Sequence, residues 1–300
     1  MEKSYIVGLG EVLWDVFPDG RKLGGAPGNF AWHVSQFGLD SLAASAVGDD
    51  ALGREALASF DEKGLSYLIP FVDRPTGTVQ VTLDAAGVPS YEICEGVAWD
   101  HIPFTEALAQ VARNAKAVCW GSLAQRNAVS RASIASFLAA TPASCLKVFD
   151  INLRQHFYSK DIIETSLRAC DILKINDDEL VIVSRMFGIE GPASAESLTA
   201  EMAEKTCRRL IADYGLKMLV LTCGAVGSYV FSNKEKSYIS TPKVTVADTV
   251  GAGDSFTAAF IASLLLGKDL KTAHQKAVEV SAYVCTCKGA MPVLPDGMKF

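Results

Sequence analysis

The run Asp248-Thr249-Val250-Gly251-Ala252-Gly253-Asp254 sets two glycines and an acid immediately before the apolar segment "SFTAAF". Three small residues at the mouth of a helix expose backbone N–H groups, and the helix leaves its own first N–H groups unpaired. Gly251, Ala252 and Gly253 would thus hold an anion, with the carboxylate of Asp254 on its rim. Phosphoryl transfer uses this pairing: fixed donors face charge developing on the moving group, and a base takes the proton of the attacking hydroxyl. The same residues also fit a plainer role, a helix entered through a tight glycine turn with an acid near its positive end. Other phosphate devices are missing. The sequence has no G-x-x-x-x-G-K-[ST] segment, and "GLGEVL" at 8–13 has G-x-G without the third glycine of a dinucleotide fingerprint.

Whatever these residues do, the rest of the chain must hold them. Apolar runs "SYIVGLG", "SLAASAVG", "AKAVCWG", "LKVFDIN", "DILKIN" and "KMLVLTCG" read as strands, with helical stretches at 27–37, 51–63, 105–114 and 130–140 between them. Near-continuous apolar strands alternating with helices predict an α/β fold with a mostly parallel sheet covered on both faces. No linker or charge block divides the chain, so one domain over 1–300 is expected. The alternation breaks at about 11–25, around Pro18-Asp19-Gly20, and at 67–95. There "YLIPFV", "GTVQVTLD" and "PSYEICE" read as strands joined by turns at Arg74-Pro75 and Ala86-Gly87. Two β insertions on an α/β body predict a small separate sheet. It is a lid over a ligand site, or a β edge able to pair two subunits into a homodimer, and the two roles are compatible.

Composition removes several function classes. Hydrophobic residues make up 49% and charged residues 21%, enough for a sizeable core, and the net charge is −6. A nucleic-acid or anionic-membrane partner would leave a basic footprint that is absent here, whereas a small phosphate needs only local N–H groups or metal ions. The eight cysteines form no C-x-x-C pair, which fits free thiols in a reducing compartment, and the four histidines are too dispersed to suggest a zinc site. The N-terminus lacks a signal-peptide pattern and no apolar run is long enough to span a bilayer, so a cytoplasmic location is expected.

"DTVGAGDSFTAAF" at 248–260 closely resembles the C-terminal signature of the PfkB, or ribokinase-like, family of sugar and nucleoside kinases. "GGAPGNFAWHVSQFG" at 24–38 resembles that family's N-terminal signature, and the two stand in the family's order. The resemblance covers essentially the whole chain. It implies a ribokinase-like three-layer sandwich with a small β-sheet lid, and an ATP- and Mg²⁺-dependent kinase. By its motifs Asp254 matches the catalytic base, and Gly251, Ala252 and Gly253 the anion hole. Asp15 in "GEVLWD" matches a lid acid that binds sugar hydroxyls, although it alternates with Glu11 and Leu13 and also fits a solvated strand face. Gly25 and Asn29 match sugar contacts, Asn29 on the first turn of a helix opened by Pro27. In "DINLR", Asn152 and Arg154 match groups reaching the substrate and phosphates; Arg154 equally fits a structural ion pair. Asn176 and Glu179 in "KINDDEL" match an N-x-x-E motif acting on Mg²⁺ through water, and they fit a helix capping box as well. Thr222, Gly224 and Gly227 in "LTCGAVGS" match a nucleotide loop or form a plain strand-exit turn. Asp248 and the Val250 carbonyl match a monovalent-cation site that some members fill with K⁺, closed by the loop near Gly289.

"GGAP" and "AWD" at 98–100 look most like fructokinases, and the stretch 88–97 carries no Lys or Arg for an acidic sugar. Fructose is therefore the first acceptor expected; ribose, 2-keto-3-deoxygluconate and nucleosides stay open. A non-catalytic sugar sensor would be expected to have lost the base or the anion hole. An NAD-dependent oxidoreductase would need the full glycine fingerprint.

Overall fold

The computed structural model describes residues 3–83 and 89–299. In chain order its strands are β1 (Ile6–Leu9), β2 (Leu13–Phe17), β3 (Gly20–Gly24), β4 (Ser41–Ala44), β5 (Val47–Gly48), β6 (Tyr67–Leu68), β7 (Phe71–Val72) and β8 (Gly77–Leu83). There follow β9 (Pro89–Ile93), β10 (Ala117–Trp120), β11 (Leu146–Asp150), β12 (Ile172–Asn176), β13 (Met218–Cys223), β14 (Gly227–Ser232) and β15 (Lys236–Ile239). The helices are α1 (Ala26–Ser35), α2 (Ala51–Lys63), α3 (Glu106–Arg113), α4 (Ala128–Ala140) and α5 (Lys160–Ala169). α6 (Asp177–Phe187), α7 (Ala200–Tyr214), α8 (Ala252–Leu265) and α9 (Leu270–Cys285) complete them.

The main sheet runs β15-β14-β13-β12-β11-β10-β1-β4-β6, parallel from β13 to β6 and antiparallel at β14 and β15. Successive residues of a strand point to opposite faces, so each strand feeds two cores. Phe149, Leu219 and Leu221 pack on one side with Phe137, Ile163 and Leu210 of α4, α5 and α7. Val148 and Val220 pack on the other with Phe30, Phe256 and Ala277 of α1, α8 and α9. Three layers result, and the carboxyl ends of the parallel strands open at the edge where α1, α6 and α8 begin.

A second sheet, β3-β2-β8-β9, stands apart from the first. It is smaller than the sequence suggests. "YLIPFV" was expected in it, but Tyr67–Leu68 pairs in parallel with β4 at the edge of the main sheet, and Phe71–Val72 pairs with β5. Pro70 has no N–H to continue a ladder, so the run breaks there into two short pieces with different partners. The main-sheet run "SLAASAVG" divides likewise, into β4 and β5. The turn expected at Ala86-Gly87 lies outside the described residues.

The root of this lid is fixed by a buried ion pair. Arg126 grips Asp100 through two bonds, Nε at 2.8 Å and Nη2 at 2.9 Å, and donates to the Cys94 carbonyl just beyond β9. Its guanidinium lies 4.0 Å from the Trp99 ring centre and 4.6 Å from that of Phe157. A planar fork serves this double role of bidentate donor and stacked plate, which an ammonium could not.

Candidate active site

Gly251 caps α8 in the left-handed region, with φ 79°, and no side chain caps the helix in its place. A Cβ at this position would lie 2.7 Å from Ala290, so backbone conformation and close packing both select glycine. Ala252 N donates to the Thr249 carbonyl at 3.3 Å, and no side chain caps the amides that follow, which face an outside acceptor. Asp254 stands in the first turn, and Asn29 of α1 donates from Nδ2 to its Oδ2 at 2.7 Å. The two glycine-rich signatures, 225 residues apart, meet in this bond.

Behind Asp254 lies a buried charge network. Lys174 Nζ is 3.0 Å from Asp150 Oδ1, and Thr257 on α8 donates to Asp150 Oδ2 at 2.9 Å. A Cβ on Gly253 would approach Lys174 Nζ to 2.9 Å, so the ammonium sits directly against the glycine turn. A cavity of about 10 Å³ between Asp254, Asp150 and Thr257 has room for about one water. Burial pushes the Asp254 carboxyl up to about 6; Asp150 adds to the rise, and Asn29, Lys174 and Arg154 oppose it. For Lys174, burial disfavours the charge, but Asp150, Glu179 and Asp254 outweigh it and its pKa is raised. A base titrating near the working pH is suited to accepting a proton from a hydroxyl.

Glu11 belongs to the same cleft. β2 begins only at Leu13, so Glu11 lies in the break after β1 rather than on a strand with Asp15. It is 4% exposed and its Oε2 has no hydrogen-bond partner. Burial moves its carboxyl up to about 7 and the charge of Asp254 adds to this, while the Glu11 and Ala26 amides and Arg154 pull it down. On the lid, Asp15 is raised by burial against Lys22 and Arg154. Arg154 is exposed, on the loop after β11, and its charge acts on Asp15, Glu11 and Asp254 together. Gly25, with φ 118°, is the N-cap of the helix that carries Asn29.

Asn176 and Glu179 do form a capping box on α6: Asn176 Oδ1 accepts from Glu179 N at 2.8 Å, and Glu179 Oε2 from Asn176 N at 2.9 Å. The other Glu179 oxygen accepts from Leu153 N at 2.8 Å, tying down the loop that carries Arg154. Each oxygen thus accepts one N–H and keeps lone pairs for water. Among the described residues no three His, Cys, Asp or Glu side chains converge as metal ligands. This donor set suits Mg²⁺ held chiefly by phosphates and waters, as that ion prefers. Thr222 neighbours Asn176 in the sheet register, and Gly224 and Gly227 shape the β13–β14 turn, Gly224 with φ 50°. Asp248 accepts from Val250 N at 3.1 Å and Gly289 N at 3.2 Å, with Lys22 Nζ at 3.6 Å. Its carboxylate and the Val250 carbonyl suit a monovalent cation, though the Lys22 ammonium already faces the acid.

Asp150, Lys174, Thr257 and Glu11 went unassigned in the sequence. One signal was available: a lysine inside an apolar strand buried on both faces, "DILKIN", must have an acidic partner.

A parallel sheet covered on both faces, a glycine-capped helix at its carboxyl edge and a buried carboxylate beside a small second sheet make up the architecture of a small-molecule kinase. Residues 10–297 match the pfkB family carbohydrate kinase, and the chain belongs to that family. It is 29% identical to the fructokinase of Klebsiella pneumoniae, over 96% of this chain and 95% of that one. To the ATP-dependent 6-phosphofructokinase of Thermoanaerobacterium thermosaccharolyticum it is 27% identical, over 92% and 83%. The structure of a Vibrio cholerae O395 fructokinase double mutant in fructose, ADP and potassium ion bound form superposes with TM-score 0.79 at 23% identity, covering 97% of this chain and 95% of that one. The fold is ribokinase-like α/β. Among the described residues no helix is long and apolar enough to cross a membrane.

Proposed function

We propose that the chain transfers the γ-phosphate of ATP to a primary hydroxyl of a neutral sugar, fructose being the first candidate. The Asn29–Asp254 bond at the open amino end of α8 carries this reading, because it sets a poised carboxylate beside unpaired amides. In the reaction, Asp254 accepts the hydroxyl proton while the oxygen attacks the γ-phosphorus in line. The amides of Gly251 to Asp254, with the Lys174 ammonium beside them, stabilise charge on the phosphoryl oxygens. Asp15 and Asn29 orient the sugar, and Thr222, Gly224 and Gly227 take the nucleotide. Mg²⁺, when bound to the phosphates, neutralises their charge, with Glu179 reached through water. Lid closure excludes water as a competing acceptor.

An acidic sugar or a phosphosugar is the second reading. Arg154 and Lys22 near Asp15 favour it, as does the likeness to a 6-phosphofructokinase. Neutral sugar stands first because Lys22 faces Asp248 and Arg126 is spent on Asp100. A cytoplasmic enzyme suits the eight free thiols. The edges of the lid sheet suit pairing of two copies, which light scattering would read as a doubled mass.

ATP consumption with Mg²⁺ and K⁺ tests the reading against fructose, ribose, 2-keto-3-deoxygluconate, fructose 6-phosphate and adenosine. Turnover with fructose, reduced by at least about 10³-fold in Asp254→Asn, is the expected result. Faster turnover with another acceptor replaces the sugar, and turnover on none of them ends the kinase reading.

A further inference from the structure

The loop after β11 holds two non-glycine residues in the left-handed region, Asn152 at φ 44° and Gln155 at φ 47°. Such conformations persist only where the surroundings over-determine them, and they gather at functional sites. Here the restraints are visible. Ser122 Oγ donates to the Asn152 carbonyl at 3.3 Å, Leu153 N to Glu179 at 2.8 Å, and Phe157 N to the Arg154 carbonyl at 3.0 Å. Arg154 Nη1 donates back to the Leu153 carbonyl at 3.1 Å, and one further bond leaves the body of the protein: Gln155 Nε2 donates to the Tyr91 carbonyl on β9 at 2.7 Å.

One short loop thus carries two neighbours with separate duties. The charge of Arg154 favours the ionised forms of the cleft acids, including Asp15 on β2 of the lid. Gln155 holds the edge strand of that lid. The backbone here is restrained at Asn152, Leu153 and Arg154, so the Gln155 side chain reaches β9 from a fixed base.

We propose that Gln155 is the positioning residue of a latch between the loop at 152–155 and the lid, holding β9 against the body of the protein. Its effect on sugar turnover rests on the function proposed above; the mechanical link between loop and lid does not. Gln155 touches no reacting atom. Its work is to keep β9 down so that bound sugar, rather than water, meets the phosphoryl group. The amide donor is the necessary part, since a carbonyl can only accept.

Gln155→Ala removes the donor, and Gln155→Glu keeps the size but cannot donate as a carboxylate. Hydrogen exchange of the full chain would be followed in residues 77–83 and 89–93, together with moles of ADP formed per mole of sugar phosphate. In both variants exchange over 89–93 is expected to quicken about tenfold with the melting temperature kept, because one bond of ordinary strength restrains the edge. The ratio of ADP to sugar phosphate rises above one, and KM for the sugar rises about fivefold while kcat stays within about twofold. Unchanged exchange in both variants overturns the latch. A wild type without sugar-dependent turnover overturns the kinase reading alone, since exchange still decides whether Gln155 holds the lid. Should the Ala variant lose its fold, the Glu variant gives the same two readings.

Discussion

Around the amino end of α8, polar groups are held by burial and by one another. Lys174 is 9% exposed, and Asp150, its partner, accepts from Thr257 as well. The lid across the cleft is attached through its rim. Trp14 Nε1 reaches the Leu52 carbonyl at 3.0 Å, Arg21 pairs with Glu55 and Gln155 with the Tyr91 carbonyl, while the Arg126–Asp100 ion pair at the root is buried. A wall that must stabilise developing charge cannot reorganise during the reaction, whereas a wall that must admit the substrate has to open. The difference teaches where a substitution should cost stability and where it should cost substrate affinity.

The largest effect belongs to the buried wall. Lys174→Met leaves Asp150 with an uncompensated charge and removes the cation that also faces Glu179 and Asp254. Breaking one partner of a buried pair destabilises by about 3–5 kcal/mol. Chemical denaturation should show this loss, and adding Asp150→Asn should recover part of it. A single variant as stable as the wild type would mean that water reaches the pair and that the two walls differ less than the geometry implies.

What was legible in the sequence divides along the same line. Residues 248–254 could be read because the glycine turn and the Asp254 carboxylate are contiguous and their local geometry follows from glycine and helix ends. The Asn29–Asp254 bond could not be derived from spacing; the family resemblance brought those positions together. Lys174 and Asp150 are 24 residues apart on adjacent strands, and the apolar context of each reads as ordinary core. Glu11 was hidden by a local assumption, that residues 11 to 15 continue one strand. "YLIPFV", expected in the lid, has strand composition, but its partners β4 and β5 are chosen by tertiary packing that no local pattern encodes.

A smaller effect would sharpen the contrast within the cleft itself. Glu11 is pushed up to about 7 from an ordinary carboxyl, so the native state binds its proton more tightly than the unfolded chain does. Its favourable contribution is complete below the unfolded value and is lost as pH rises toward and through about 7. Glu11→Gln should therefore match the wild type near pH 4 and exceed it at pH 8 by on the order of 1–3 kcal/mol. Equal stability at both pH values would show that the carboxyl has a partner in solution.

The smallest effect is expected at the rim of the lid. Arg21 and Glu55 join the β2–β3 hairpin to α2, and both side chains are close to half exposed. Such pairs are screened by salt and lose side-chain entropy in holding one geometry. Arg21→Ala should therefore leave the melting curve where it is and quicken hydrogen exchange in β3, with KM for the acceptor rising slightly and kcat unmoved. The exchange difference should shrink at high salt, where the wild-type pair is already weakened. If Arg21→Ala instead lowers the melting temperature as far as Lys174→Met does, the lid unfolds together with the body. Opening would then have to proceed by rigid rotation about the Arg126–Asp100 root, with the strands of the lid intact.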